Sequence, residues 1–465
     1  MQQYYQSLKQ KSRNHLWNSF TQMQDYNSDD PIIIESGQGV KLRDVTGRDY
    51  YDGVSSIWLN VHGHQVPELN QAIIEQLGKI AHSTILGMAN VPSIELAEQI
   101  AQLTPDGLEK VFYSDSGATS VEIAIKMAFQ YWQHKGKPEK QAFVTMKEAY
   151  HGDTIGAVSV GAIDIYHKAY ASLLFKSYRV DYPYCYRCPV SRELSSCGFA
   201  CMEQVERLLQ EKAGEIAAFI IEPIVQGAGG IITMPPGFLK GMRDLCTQYD
   251  VLMICDEVAT GWGRTGKLFA CEHDGITPDI MCMGKGLTAG YLPVAATVTT
   301  NEVYDAFLGG YEEKKTFFHG HSFAGNQLGC AVALENIKLY RERNLIEEVQ
   351  RKADHVASRL EQEFARLLHV GDIRQRGLMI GIELVKDKAT KAEYEWQDKI
   401  GLIVSRRSAE LGMIIRPLGN VVVFMPPLAS SIEELDEMVD ILRESIVDVT
   451  ERGVKARSER LPYGL

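Results

Sequence analysis

The stretch VLMICDEVATGWGRTGKLFACEHDGITPDIMCMGKG, residues 251–286, contains two short apolar runs that each end beside a side chain capable of chemistry. The runs at 251–256 and 279–284 do not alternate polar and apolar residues, which is typical of strands covered on both faces. Asp256 ends the first run, and Lys285 follows the second between two glycines. Because ligands of open α/β sheets bind beyond the carboxyl ends of strands, both side chains are candidates for a functional site.

Similar apolar runs at 110–114, 142–146 and 217–223 are also predicted strands. Between the first two lies a predicted helix, 120–132, whose apolar residues recur at helical spacing. Alternation of strands and helices predicts an α/β fold with a mostly parallel central sheet and helices on both of its faces.

The pattern changes after about residue 330. One long helix is predicted over 331–368, followed by short strands and a closing helix at 377–384, 421–428 and 432–450. We therefore expect a large domain over 61–330 and a smaller α+β domain over 331–465, to which an N-terminal segment, 1–60, contributes.

The 465-residue chain has a formal net charge of −12, which argues against nucleic acid as its main partner. Its first twenty residues lack the apolar centre of a signal peptide. No apolar run approaches the ~18 residues of a membrane span. The sequence therefore predicts a soluble, cytoplasmic protein with no membrane partner.

Nine cysteines are present, and they form two groups. Five lie among apolar neighbours and are predicted to be reduced core thiols, as is usual in a cytosolic protein. The other four lie close together in YCYRCPVSRELSSCGFAC, residues 184–201. Their spacing is compatible with a zinc site, although the gap between the pairs is shorter than in zinc ribbons. A metal-free surface loop is the alternative. The cysteines of this loop are Cys185, Cys188, Cys197 and Cys201.

The segment SDSGATS, residues 114–120, joins a predicted strand to a predicted helix. Small residues at a helix N-terminus leave backbone N–H groups free to bind a phosphate, although an ordinary helix cap has the same composition. The segment is neither a Walker loop nor a G-x-G-x-x-G turn, so nucleotide is not favoured. A phosphate site, an aspartate and a lysine at strand ends are together what pyridoxal phosphate requires.

The chain also resembles a known family, the class III (ω-amino acid) aminotransferases of fold type I, over nearly its whole length, from residue 15 to residue 428. The motifs that carry this resemblance are SDSGATSVEIAIKMAFQYWQ, YHGDTIGAVSV, IIEPIVQGAGG, DEVATGWGRTGKLFACE and HGHSFAGNQLGCAVALEN. Within the family it looks closest to the 7,8-diaminononanoate synthases of biotin biosynthesis.

The resemblance implies roles for individual residues toward pyridoxal 5′-phosphate. Lys285 is similar to the Schiff-base lysine, and Asp256 to the partner of the pyridine nitrogen. Tyr150 resembles the aromatic residue that stacks on the ring, and Val258 would pack on the opposite face. The expected catalytic residues are Lys285, Asp256 and Tyr150. The full expected cofactor-binding set is Ser116, Gly117, Ala118, Tyr150, Glu222, Asp256, Val258, Lys285, His321 and Ser322.

The phosphate end of the expected site involves two subunits. Gly117 and Ala118 resemble the phosphate-binding pair. Ser322 stands where the family usually has threonine, which reaches the phosphate from the other subunit, and Gly320 and His321 precede it. The resemblance therefore implies a homodimer with cofactor sites at the interface.

The resemblance also implies a substrate. Arg416 resembles the arginine that binds the carboxylate of 8-amino-7-oxononanoate, for which a guanidinium group is well suited. Trp58 resembles an aromatic wall of the substrate cleft. The expected substrate-binding set is Phe20, Ile57, Trp58, Tyr150, Lys285, Gly320 and Arg416.

Two residues bear on the amino donor. Branch members that use adenosylmethionine have tryptophan and tyrosine where this chain has Ile57 and Phe20. Loss of an indole removes a cation–π surface for a sulfonium, worth roughly 0.5–2 kcal/mol. Lysine is therefore the favoured donor, with adenosylmethionine as the alternative.

Ala259 favours the diaminononanoate branch, because many other ω-aminotransferases have glutamine at that place. The cysteine-rich loop, by contrast, resembles one in several of those other enzymes. An ω-amino acid or diamine:pyruvate aminotransferase is therefore the alternative function. A redox or zinc protein centred on the clustered cysteines is a further alternative.

Overall fold

The computed structural model describes residues 2–454 and 460–461. Its helices are α1 (Gln2–His15), α2 (Met23–Ser28), α3 (Ser55–Trp58), α4 (Pro67–Leu77), α5 (Val91–Leu103), α6 (Gly117–His134), α7 (Ile155–Val160), α8 (Asp164–His167), α9 (Met202–Lys212), α10 (Phe238–Gln248), α11 (Asn301–Asp305), α12 (Gln327–Glu342), α13 (Leu345–Glu363), α14 (Ile400–Leu411) and α15 (Ile432–Thr450).

The strands are β1 (Asp30–Pro31), β2 (Ile34–Gln38), β3 (Lys41–Asp44), β4 (Asp49–Asp52), β5 (Leu108–Ser114), β6 (Ala142–Met146), β7 (Ser177–Val180), β8 (Ile216–Ile221), β9 (Val225–Gln226), β10 (Ile232–Thr233), β11 (Leu252–Asp256), β12 (Ile280–Met283), β13 (Ala295–Thr300), β14 (Val370–Arg376), β15 (Met379–Asp387), β16 (Ala392–Glu393), β17 (Met413–Ile414), β18 (Arg416–Leu418), β19 (Val421–Phe424) and β20 (Arg460–Leu461).

The chain forms two compact units. Residues 68–346 form one, and the described residues before 68 and after 346 form the other. The assignment of a large cofactor-binding domain over 61–330 and a small domain over 1–60 and 331–465 stays a prediction.

The unit 68–346 contains a seven-stranded sheet in the order β5-β13-β12-β11-β8-β6-β7. From β12 to β7 the neighbours are parallel, whereas β13 is antiparallel to both of its neighbours. The strand β8 is buried along its whole length, as its continuous apolar sequence predicts. Helix α6 packs on this sheet, where the indole of Trp132 donates to the Ala217 carbonyl at 2.8 Å. The predicted α/β class and mostly parallel sheet are confirmed.

The second unit contains two further sheets. One has the order β14-β15-β19-β18 with β16 beside β15, and the other has the order β17-β4-β3-β2. In the second sheet β17, from the C-terminal part of the chain, pairs in parallel with β4 from the N-terminal part. The closing helix is confirmed at Ile432–Thr450, where Ser431 caps the first turn by accepting from the Glu434 N–H.

The single helix predicted over 331–368 is wrong, because the chain forms two helices there. Helix α12 ends at Glu342 and α13 begins at Leu345. Asn344 between them has a φ of 44°, a left-handed conformation that asparagine tolerates better than most residues and that ends helices.

Candidate active site

Asp256 and Lys285 follow neighbouring parallel strands at the same edge of the large sheet. Asp256 ends β11 and lies opposite Cys282 of β12. The next residue, Glu257, donates its N–H to the Cys282 carbonyl at 2.9 Å, which fixes the two strand ends side by side. Lys285 follows β12 by two residues, so both predicted residues lie at the same edge of the sheet.

The Asp256 carboxylate is buried and oriented by two donors. His151 Nδ1 lies 2.7 Å from Asp256 Oδ2, and the Val258 N–H donates to Oδ1 at 3.1 Å. His151 is itself buried, and its Nε2 has no hydrogen-bond partner among the residues described. Sequence reasoning did not single out His151, although it follows Tyr150 in the motif YHGD.

The turn predicted to bind phosphate begins helix α6. The Ser116 hydroxyl accepts from the Thr119 N–H as the helix cap, so the first-turn N–H groups of Gly117 and Ala118 have no partner within the helix. A Cβ placed on Gly117 would lie 2.4 Å from Val258 Cγ1. Only glycine therefore fits here, and the turn lies directly against the residue two places after Asp256.

Lys285 lies beside the same turn. A Cβ placed on Gly284 would lie 3.4 Å from the Gly117 nitrogen, which places the backbone before Lys285 next to the start of α6. Lys285 begins a short 3-10 turn and has a φ of 41°. The following Gly286 packs against Trp262, where a Cβ would lie 2.6 Å from the Trp262 Cβ. The lysine therefore projects from a tightly packed, irregular turn.

The buried carboxylate of Glu222 binds the backbone of Tyr150. Its Oε1 accepts from the Tyr150 N–H at 3.1 Å, and its Oε2 accepts from the Gly227 N–H at 2.8 Å. Burial is the main reason that the pKa of Glu222 is raised to about 7. The Tyr150 hydroxyl donates to Asp153 at 2.6 Å, which fixes its ring. Glu222 thus acts on Tyr150 through the backbone.

Gly320, His321 and Ser322 lie in an irregular loop of the same unit. His321 Nδ1 lies 3.0 Å from Asp115 Oδ1, so this loop contacts the residue just before the α6 cap. The Ser322 carbonyl accepts from His82 Nε2 at 2.7 Å, and both Gly320 and Ser322 are exposed.

The remaining residues predicted to bind substrate belong to the other unit. Arg416 lies in β18, and its guanidinium carbon is 5.4 Å from the centre of the Phe20 ring. This is cation–π distance, so the phenyl ring orients the predicted carboxylate-binding arginine.

Ile57 and Trp58 lie in a left-handed turn. Four successive residues, 55–58, have φ between 47° and 71°, which costs L-residues about 1–2 kcal/mol each. Asp52 holds this turn, because its Oδ1 accepts from the Ser56 N–H and its Oδ2 from the Ser56 hydroxyl, both at 2.7 Å. Stored strain of this kind is concentrated at functional sites.

The nine cysteines are free thiols. The five expected in the core are buried, and burial raises the thiol pKa of Cys246 and Cys330 to about 12. The four clustered cysteines line one small cavity. Within the described ranges, no group of three or more His, Cys, Asp or Glu side chains is arranged to hold a metal ion.

No helix among residues 2–454 combines the length and the apolar character needed to cross a membrane.

The sequence matches the family described as Aminotransferase class-III over residues 23–446.

Individual relatives agree with this match over nearly the full chain. A protein of Anoxybacillus flavithermus named adenosylmethionine-8-amino-7-oxononanoate aminotransferase is 54% identical over 443 residues, covering 95% of this chain and 97% of the relative. The crystal structure of the protein with the same name from Methanocaldococcus jannaschii has a TM-score of 0.91 at 43% identity, covering 95% of this chain and 99% of that one. An omega transaminase from Pseudomonas jessenii in complex with PMP has a TM-score of 0.92 at 31% identity, with 96% and 98% coverage.

Proposed function

Because the chain belongs to the class-III aminotransferases, we propose that it transfers an amino group to 8-amino-7-oxononanoate and so forms 7,8-diaminononanoate for biotin biosynthesis. It is an aminotransferase of fold type I that uses pyridoxal 5′-phosphate. The observation that carries the proposal is the placement of Asp256, Lys285 and the turn at 116–118 at one sheet edge.

The residues at this edge fit the cofactor. Glycine at 117 lets the turn lie directly against Val258, and the N–H groups of the first α6 turn, which have no partner within the helix, suit an anionic phosphate. When bound, pyridoxal phosphate supplies an aldehyde that combines with primary amines and a ring that withdraws electrons from the adjoining carbon.

The chain's own residues would position that ring and move protons around it. We assign Asp256 to hold the proton on the pyridine nitrogen, with His151 and the Val258 N–H orienting its carboxylate. We assign Lys285 Nζ to attach the cofactor and to shuttle a proton at the reacting carbon. Tyr150 and Val258 would cover the two ring faces.

For the substrate, Arg416 is proposed to bind the carboxylate of 8-amino-7-oxononanoate, since a guanidinium fork matches a carboxylate. The names of the relatives favour adenosylmethionine as donor. Lysine is the second candidate, because Ile57 and Phe20 lack the indole and the hydroxyl expected for a sulfonium donor.

A second copy of the chain is part of the proposal. Large apolar side chains are exposed on two neighbouring segments, 86–94 and 318–323, with Leu86 85% and Phe318 75% exposed. Asn90 of the first segment donates to the carbonyl of Gly325, two residues after the second segment, at 3.0 Å. Burying such side chains contributes about 1.5–3 kcal/mol each, which favours a homodimer through this surface. Nine free thiols favour a cytoplasmic location.

The test is a purified-enzyme assay with 8-amino-7-oxononanoate and with pyruvate as acceptors, each given adenosylmethionine or lysine as donor. The proposal predicts amino transfer to the oxo acid and little to pyruvate. Transfer to pyruvate alone would contradict the substrate and favour the ω-amino acid:pyruvate alternative. Sedimentation of the same protein as a monomer would contradict the homodimer.

A further inference from the structure

A chain of hydrogen-bonded side chains runs from the middle of helix α6 to the residue before its cap. Lys126 Nζ lies 2.9 Å from His319 Nδ1, and His319 Nε2 lies 3.2 Å from His321 Nε2. His321 Nδ1 lies 3.0 Å from Asp115 Oδ1. We call these three residues, Lys126, His319 and His321, the relay. It ends on the carboxylate of Asp115.

The chemistry of the two ends fixes the direction of every bond. An ammonium group can only donate, so His319 Nδ1 accepts from Lys126 and the imidazole proton of His319 lies on Nε2. That proton is donated to His321 Nε2, which leaves the proton of His321 on Nδ1, facing Asp115. A carboxylate can only accept, so the directions agree at both ends. The relay is therefore complete when both imidazoles are neutral, and it points from a cation to an anion.

The surroundings of the relay favour this arrangement. Burial and the positive charge of Lys126 lower the pKa of His319, against an opposing effect of Glu122. The Glu122 carboxylate already accepts from the Gly156 N–H at 2.7 Å. The Phe317 ring stacks on His319 with centroids 5.7 Å apart.

Asp115 places a negative charge beside the proposed phosphate site. Its carboxylate lies one residue before the α6 cap, where a negative charge opposes the binding of a second anion. Besides His321, the Thr119 hydroxyl lies 3.0 Å from its Oδ1, and this hydroxyl also lies 2.8 Å from the Ser116 carbonyl as a second acceptor. Thr119 Oγ1 in turn accepts from the Ser116 N–H at 3.0 Å. The Asp115 carboxylate thus contacts His321 of the loop and, through Thr119, the backbone of Ser116 in the turn.

We propose that the relay offsets the charge of Asp115 and thereby raises the affinity of the turn at 116–118 for the cofactor phosphate. Lys126, His319 and His321 are positioning residues, because they act through Asp115. This inference rests on the proposed cofactor role of the turn. It also assigns His321 a function within its own subunit.

The test is a double-mutant cycle on the affinity of the apo-protein for pyridoxal 5′-phosphate, measured by quenching of intrinsic fluorescence. Lys126→Met should raise Kd about twofold to fivefold, the upper part of the range for an exposed charge pair. The same change in an Asp115→Asn background should alter Kd less than twofold, since no charge remains to offset. Lys338→Met, on the exposed face of α12 and also paired with acidic residues, is the matched control and should leave Kd unchanged.

His321→Asn provides a second cycle. Asparagine keeps an N–H close to the position of Nδ1 but cannot accept from His319, so the relay is cut. Adding Lys126→Met to His321→Asn should therefore change Kd less than twofold. In the wild type, ¹⁵N shifts should report His319 protonated on Nε2 and His321 on Nδ1. The opposite tautomers, or equal effects of Lys126→Met in every background, would overturn the inference.

The proposed function and the role of the relay can be told apart by experiment. A wild-type apo-protein that does not bind pyridoxal 5′-phosphate would overturn the proposed function and this inference with it. Tight binding by the wild type together with additive cycles would overturn the inference alone. Circular dichroism of each variant shows whether a change in Kd reflects unfolding.

Discussion

The contact between Gly117 and Val258 offers a quantitative test of the phosphate turn. A Cβ at Gly117 would lie 2.4, 3.1 and 3.3 Å from Val258 Cγ1, Cγ2 and Cβ, whereas carbon atoms pack at about 3.5–4.0 Å. The turn or the valine must therefore move by about 1 Å in Gly117→Ala, at a cost of about 1–3 kcal/mol. Because the displaced N–H groups belong to the proposed phosphate site, we expect the Kd for pyridoxal phosphate to rise about tenfold or more.

The assay is a cofactor titration of the apo-protein with thermal unfolding in parallel. Gly214→Ala is the matched control, because a Cβ there meets no atom within 4 Å and its backbone needs no glycine. In the Val258→Ala background both Cγ atoms are gone, so Gly117→Ala should lower the thermal stability of the apo-protein less there than in the wild type. Unchanged affinity in Gly117→Ala, or an equal loss of stability in the two backgrounds, would contradict the proposed steric role of Gly117.

Three further predictions concern charge and strain. Asp256→Asn should lower the transamination rate at least about a hundredfold, because the ring nitrogen would lose its proposed acid partner, and steady-state kinetics will check this. Ile57→Gly should lower the free energy of unfolding less than Ile74→Gly, because Ile57 has a left-handed backbone, which glycine tolerates, whereas Ile74 lies in helix α4. The difference between the two losses should be about 1–3 kcal/mol, measured by denaturant melts. Burial raises the pKa of Glu257 to about 7, so its contribution to stability is present below about pH 4.5 and is lost as the pH rises to 7. Glu257→Gln should therefore remove part of the fall in unfolding free energy over that range; parallel pH profiles of the two proteins would contradict it.

The strands that carry the site were predictable because their sequences are continuously apolar. The runs at 251–256 and 279–284 contain strands β11 and β12; Asp256 ends the first strand and Lys285 follows the second, as expected. Strand β13 was missed, since VAATVTT is short and rich in threonine, and its antiparallel pairing follows from tertiary structure. Asn344 is a local signal for the end of helix α12. The helical periodicity continues on both sides of it, so the sequence alone did not predict that the helix is interrupted there.

The supporting residues of the site were less predictable than those expected to contact the cofactor. The bond between His151 and Asp256 joins residues 105 positions apart, so no local pattern reports it. The left-handed turn at 55–58 contains no glycine, and it depends on the buried Asp52 carboxylate. The relay likewise joins α6 to a distant irregular loop. Such features arise from packing between elements.

The most direct test of the central claim is the site of covalent attachment of the cofactor. The purified protein would be reduced with borohydride, digested and analysed by mass spectrometry for a lysine that carries the reduced cofactor. If Lys285 attaches the cofactor, one modified peptide is expected, which contains Lys285, and it should be lost in Lys285→Ala. Modification of a different lysine, or none in a protein saturated with pyridoxal phosphate, would contradict it.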